Sequence, residues 1–168
     1  MVKLIVCVFA LAWSTAAWAA EQTAPACAAP EFRQLDFWVG TWDLTWQGGK
    51  GTNTITREMD GCVIHEHFSG DASQQFLRGE SFSTYQPKLG IWRQTWVDNQ
   101  GGYIPLTGGL QDDGRFVLTT TRLNEKQRQT RMVFEKIKPA SFTWRWQSTA
   151  GDGKTWKDEW VIAYARKK

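Results

Sequence analysis

Thr52-Asn53-Thr54-Ile55-Thr56-Arg57-Glu58-Met59-Asp60-Gly61-Cys62-Val63-Ile64-His65-Glu66-His67-Phe68-Ser69 is a pair of alternating runs around one Asp-Gly step. Asp-Gly in that setting favours a two-residue hairpin, because both central residues of the tight turn need positive φ. The turn then fixes the register: Met59 faces Cys62, Arg57 faces Ile64 and Ile55 faces Glu66. Strand side chains alternate between faces, so all six share one side. Its apolar members Ile55 and Ile64, with Phe68, send that side inward and carry Arg57 and Glu66 with them as diagonal neighbours. A carboxylate enclosed beside a guanidinium is costly to dehydrate and is tolerated when paired. The pair therefore reads as a structural salt bridge or as a polar anchor for a ligand head group. Parity puts His65 and His67 on the opposite face with Val63 and Ser69, toward solvent. Zinc needs a third ligand and usually an orienting carboxylate beside such an i, i+2 pair, so no metal is expected.

The same alternation runs through 41–47, 52–59, 62–69, 76–86, 91–98, 103–110, 115–123, 128–137, 141–148 and 155–166, about ten strands. Between them stand Gly48-Gly49, Pro87 with Gly90, Gly101-Gly102, Asp112-Asp113-Gly114, Asn124-Glu125, Lys138-Pro139 and Gly151-Asp152-Gly153, all reversal chemistry. Such connections are too short for helical crossovers, so neighbours are antiparallel. A sandwich needs connections of more varied length; uniformly short turns favour an up-and-down barrel closed to remove its edges. Before the first strand, Pro30 suits a helix start, and Phe32, Leu35 and Trp38 recur at spacing three, which predicts a one- or two-turn helical plug ending at Gly40.

Alternation also sorts the aromatic residues. Trp42, Leu44 and Trp46 share a face, as do Trp92, Gln94, Trp96 and Asp98. Trp144 and Trp146 repeat the pattern, and the last strand sets Trp156, Asp158, Trp160, Ile162 and Tyr164 together. These faces point inward.

The chain has 168 residues, with Lys+Arg 20 against Asp+Glu 17 and 42% hydrophobic residues, the composition of one ordinary folded domain. Its basic residues are scattered among acidic ones, so no stripe for a phosphate backbone exists and nucleic acid is not an expected partner. Lys3, the apolar run Leu4 to Trp13 and the Ala17-Trp18-Ala19 step form a secretory leader cut after Ala19. The run is shorter than the roughly 20 residues of a bilayer span, so no stable membrane insertion is expected. The organisation is then 1–19 leader, 20–30 flexible lead and 31–168 barrel, in a periplasmic or secreted protein. Loss of the leader removes Cys7 and leaves Cys27 and Cys62 in an oxidising compartment, where one bridge is expected.

No haem attachment motif, Gly-x-Ser-x-Gly elbow or phosphate-binding loop occurs, and no cofactor is expected. Gly40-Thr41-Trp42 is the Gly-x-Trp signature of lipocalins and related calycins. Together with Phe37-Trp38-Val39 before it, Gly61-Cys62-Val63-Ile64-His65-Glu66, Trp92-Arg93-Gln94-Thr95-Trp96-Val97-Asp98 and Gly151-Asp152-Gly153-Lys154-Thr155-Trp156, it resembles a family of secreted bacterial lipocalin-like proteins with a DFWxGxW motif. The resemblance implies a calycin barrel with structural roles for Gly40 and Trp42, the latter near the closed end with Arg166 packed over its ring. It implies no substrate.

The residues themselves favour a small-molecule binding protein. An apolar or aromatic ligand would lie among Trp92, Trp96, Trp144 and Trp160, oriented by Arg57, Glu66, Gln94 and Asp98. Three other readings remain open: carbohydrate stacked on Trp faces, a hydrolase- or isomerase-type enzyme with Glu66 or Asp98 as general base, and a filled barrel with a structural or partner-binding role. Cavity volume separates the last from the others.

Overall fold

The computed structural model describes residues 27–121, 128–149 and 154–168. The expected leader, most of the lead, and the Asn124-Glu125 and Gly151-Asp152-Gly153 turns lie outside these residues. Ten strands follow in order: β1 (Gly40–Trp46), β2 (Gly49–Glu58), β3 (Val63–Gly70), β4 (Arg78–Gln86) and β5 (Ile91–Asp98). Then come β6 (Tyr103–Leu110), β7 (Phe116–Thr120), β8 (Gln129–Lys138), β9 (Ser141–Thr149) and β10 (Lys157–Arg166). Each pairs antiparallel with its sequence neighbours, and β1 pairs with β10, so the sheet closes into an up-and-down barrel.

The deciding hairpin has the register its turn dictates. Ile55 faces Glu66 and Arg57 faces Ile64. Cys62 N–H donates to Met59 O at 3.1 Å across Asp60 (φ 56°) and Gly61 (φ 92°), both in the left-handed region that this turn requires. Ile55, Ile64, Glu66 and Phe68 are all buried.

The expected helical plug is a different object. A 3-10 turn over Pro30–Arg33 leads into further i to i−3 backbone bonds at Asp36, Trp38 and Val39, and no α-helix forms. The reason lies in the spacing: i, i+3 residues superpose on a three-residue period, so Phe32, Leu35 and Trp38 all turn into the core. Trp38 meets Phe134 edge-on at 5.1 Å, Phe37 meets Phe142 at 5.7 Å, and Phe32 meets Tyr85 at 5.4 Å. This segment closes the barrel end where β1, β3, β5, β7 and β9 begin. The Cys27–Cys62 disulfide ties its start to the deciding hairpin.

Three further departures have local causes. β4 begins at Arg78 rather than Phe76, because Gln75 (φ 54°) and Phe76 (φ 53°) are left-handed after a 3-10 turn that the Asp71 side chain caps. β10 carries a bulge between Asp158 and Trp160, and one extra residue reverses the face of everything beyond it. Trp160, Ile162 and Tyr164 therefore point inward, whereas Asp158 bonds Arg145 at 2.5 Å on the exterior and Trp156 lies under Arg131 at 3.9 Å. Finally, Arg57 and Glu66 do not pair. Arg57 is close to the closed end, where its long side chain escapes the interior to bond Asp36 and the carbonyls of Gly61 and Phe32.

Among the described residues no helix is long and apolar enough to cross a membrane.

Candidate functional site

Packing is unequal along the barrel axis. The closed half is filled by Leu35, Trp38, Trp42, Trp92, Phe116 and Phe134, each at most 1% exposed. The other half holds a cavity of about 180 Å³. One wall is Glu66 and Phe68 from β3 with Trp96 and Asp98 from β5; the facing wall is Trp144 and Trp146 from β9 with Trp160, Ile162 and Tyr164 from β10. Leu77, Ile104, Leu106 and Met132 complete it.

The indole rings are held by specific neighbours. Trp144 and Trp146 stack at 9° with centroids 6.3 Å apart, and Trp160 meets Trp144 edge-on at 5.8 Å. Trp96 fits flat against β4 because residue 79 is glycine: a Cβ there would lie 2.0 Å from the ring. Across the mouth, Trp46 stacks on Phe68 and donates to Ser73 Oγ at 3.0 Å, which draws the β3–β4 connection toward the opening.

Glu66 is 5% exposed and sits in a polar cluster on a wall that is apolar but for it and Asp98. Its Oε1 accepts from Asn53 Nδ2 at 2.7 Å and its Oε2 from Ser81 Oγ at 2.5 Å. Asn53 Nδ2 also donates to Tyr164 Oη at 3.0 Å. Burial pushes the Glu66 carboxyl up to about 7, against the opposing pull of the Ser81 and Asn53 hydrogen bonds. Neutral and ionised forms are therefore both accessible near neutral pH. Burial also raises the Tyr164 hydroxyl well above its usual value, aided by the nearby Glu66 charge.

Asp98 is the other carboxylate on the wall, and it is committed elsewhere. It accepts from Trp96 Nε1 at 2.9 Å and from the backbone N–H groups of Gln100 and Gly102 at 2.9 and 2.8 Å. Partial burial raises its pKa, but these bonds outweigh burial and leave it below the usual value. It is an ionised residue holding its own turn. Trp160 Nε1, in contrast, is buried with no hydrogen-bond partner among the described residues.

Of the residues singled out from sequence, Glu66, Trp96, Asp98, Trp144 and Trp160 meet around this cavity. Arg57, Trp92 and Gln94 do not line it. Trp92 Nε1 donates to Gln34 Oε1 at 3.0 Å beneath the closing segment, and Gln94 Nε2 donates to Ser83 Oγ at 2.9 Å. Gly40, Trp42 and Arg166 lie together at the closed end, with the Arg166 guanidinium 4.1 Å over the Trp42 ring. Asn53, Ser81, Trp146 and Tyr164 were not singled out as site residues. Strand parity does put Asn53 on the side of Ile55, and Tyr164 on that of Trp160. Ser81 is reached only through the pairing of β3 with β4, in which it faces Glu66.

On the outer surface, His65 and His67 meet two carboxylates. Glu58 Oε1 lies 3.0 Å from His65 Nδ1; Glu80 lies 3.1 Å from His65 Nε2 and 3.3 Å from His67 Nδ1. His67 is half exposed as parity requires, but His65 is only 12% exposed, covered by the Phe82 ring at 4.1 Å.

No family model matches the chain, and no curated protein matches it.

Proposed function

We propose that this chain is an exported small-molecule binding protein whose barrel takes a one-ring aromatic or compact apolar ligand carrying a single polar group. The observation that carries this reading is the cavity of about 180 Å³ with one buried carboxyl on a largely aromatic wall. Apolar enclosure with few polar groups is the usual make-up of a ligand site. A cavity of about 150 Å³ accepts benzene, whereas drug-sized ligands need roughly 300 Å³ or more, so size selects a single ring. Glu66 would receive a hydrogen bond from a hydroxyl or amine of the ligand, or donate one when protonated.

A solid interior is at odds with this volume. Carbohydrate suits the site less well, because a sugar needs many polar partners and, among the described lining residues, Glu66, Tyr164 and the already committed Asp98 are the ones with carboxyl or hydroxyl groups. Export rests on the leader-like first 19 residues, and the Cys27–Cys62 disulfide is in keeping with an oxidising compartment. The resemblance to lipocalin-like proteins points the same way, with Trp42 at the closed end and ligand at the open one.

Native mass spectrometry on protein recovered from its own export compartment tests the reading. A retained small aromatic or apolar species is expected. Ligand-free protein that also ignores added phenols, indoles and monocyclic hydrocarbons would contradict it.

A second reading, acid–base catalysis by Glu66, is favoured by a carboxyl poised at about 7 in a cavity. Glu66→Gln would abolish any turnover found while preserving the fold; unchanged turnover removes Glu66 from the chemistry.

A further inference from the structure

The exterior cluster on β2, β3 and β4 has the parts that the sequence alone did not supply for a metal site. His65 and His67 are two residues apart on β3, so their rings project from one face, with centroids 3.9 Å apart. Glu80 on β4 is the direct cross-strand partner of His67. The candidate ligand atoms of His65, His67 and Glu80 all lie within 4.8 Å of one another. We propose that these three residues form a surface site for one divalent transition-metal cation of the zinc class, with Glu58 orienting His65.

Distances support the assignment. A tetrahedral cation with bonds of about 2.1 Å holds its ligand atoms roughly 3.4 Å apart. His65 Nε2 is 3.1 Å from Glu80 Oε2, and His67 Nδ1 is 3.3 Å from Glu80 Oε1. These contacts use different Glu80 oxygens, and with one ligand atom per residue all lying within 4.8 Å of one another, modest side-chain rotation would bring the three onto one ion. Pre-organisation is strongest at His65, whose ring is stacked on Phe82 at 19° and also packs against His67. Its Nδ1 faces Glu58 Oε1 at 3.0 Å, and Thr56 Oγ1 holds that carboxylate at 2.9 Å. A proton on Nδ1 donated to Glu58 leaves Nε2 as a lone-pair donor, the carboxylate–histidine relation that fixes the tautomer of metal-bound imidazole.

Two imidazoles and one carboxylate favour zinc, copper or nickel over magnesium or calcium, which take all-oxygen sites. His67 and Glu80 also line a surface depression with Arg78, Asp98 and Asn99. The remaining coordination positions therefore face water, which makes this an exchangeable site rather than a closed structural one.

The test uses the untagged, disulfide-intact chain freed of metal with a chelator. Zinc titration by calorimetry and native mass spectrometry is expected to give one ion per chain, and cobalt should develop the visible absorption of a tetrahedral site. His67→Ala and Glu80→Gln replace exposed side chains, and each should weaken zinc at least tenfold. Glu58→Gln should weaken it about tenfold while keeping the stoichiometry. Absence of one-to-one uptake, or uptake that His67→Ala and Glu80→Gln leave unchanged, overturns the site. In that case the cluster is a hydrogen-bonded network only.

Discussion

Arg166 and Trp42 face each other across the seam that closes the barrel, and the guanidinium lies 4.1 Å over the indole ring. Its nitrogens also donate to three carbonyls, of Val39 at 2.9 Å, Phe37 at 3.2 Å and Pro139 at 2.9 Å. One side chain thus joins β1, β10, the closing segment and the β8–β9 turn. Trp42 completes the lock by donating from Nε1 to Trp38 O at 2.8 Å. Gly40 belongs to the same unit: its φ is +134°, and a Cβ there would lie 2.2 Å from Arg166 Nη1.

Replacing Arg166 by Ala is expected to cost about 2–4 kcal/mol, because the cation–π contact goes and several carbonyls at the seam lose their donor. Arg166→Lys should recover less than half of this, since an ammonium lacks the planar fork that reaches all three oxygens. Gly40→Ala should destabilise comparably through backbone strain and displacement of Arg166. Urea unfolding of the three variants measures each loss; a change below about 0.5 kcal/mol in Arg166→Ala would remove the seam from the account.

Glu66 predicts a pH dependence of stability. Its folded pKa of about 7 lies above the 4.5 of an ordinary glutamate, so the folded state holds its proton more tightly than the unfolded chain. Its contribution is most favourable below about pH 4.5, falls as pH rises toward 7, and is flat beyond. The gap corresponds to about 3 kcal/mol at most. In Glu66→Gln the carboxamide oxygen can still accept from Asn53 and its NH₂ can donate to Ser81, so the variant should be more stable than wild type at pH 8 and lack this slope. Denaturant midpoints at pH 5 and pH 8 decide it; parallel slopes in the two proteins count against a buried titrating Glu66.

The Cys27–Cys62 bridge anchors the closing segment across 35 residues. On the chain-entropy view its loss costs about 3–4 kcal/mol. Cys27→Ala with Cys62→Ala should therefore melt earlier while retaining the far-ultraviolet signal of the barrel. An unchanged melting temperature would show that the closing segment is held by Leu35 and Trp38 packing alone.

Local chemistry was the legible part of this chain. Asp60-Gly61 dictates its own turn, and one turn fixes the register that buries Ile55, Ile64 and Glu66. Uniform short connections carried the closed up-and-down topology. What the sequence hid is non-local. The hydrogen-bond partners of Glu66 come from β2 and β4, with Tyr164 of β10 joined through Asn53, and the connection before β4 is irregular, so neither Ser81 nor Glu80 could be aligned with β3 in advance. Alternation names a face but not a depth, which is why Arg57 shares the parity of Glu66 yet leaves the interior at the closed end. The bulge between Asp158 and Trp160 broke the parity of the last strand without any glycine to announce it.

The central claim is that the open half of the barrel binds a single-ring ligand between Glu66 and the indoles. The most direct measurement is a titration with 4-methylphenol followed by the indole N–H resonances of Trp96, Trp144 and Trp160, in wild type and in Ile104→Trp, which fills the cavity. The account predicts saturable shifts at these indoles, little change at Trp42 in the closed end, and at least tenfold weaker binding in Ile104→Trp. Indole resonances that stay fixed at saturating probe, or that move equally in the filled variant, would contradict it.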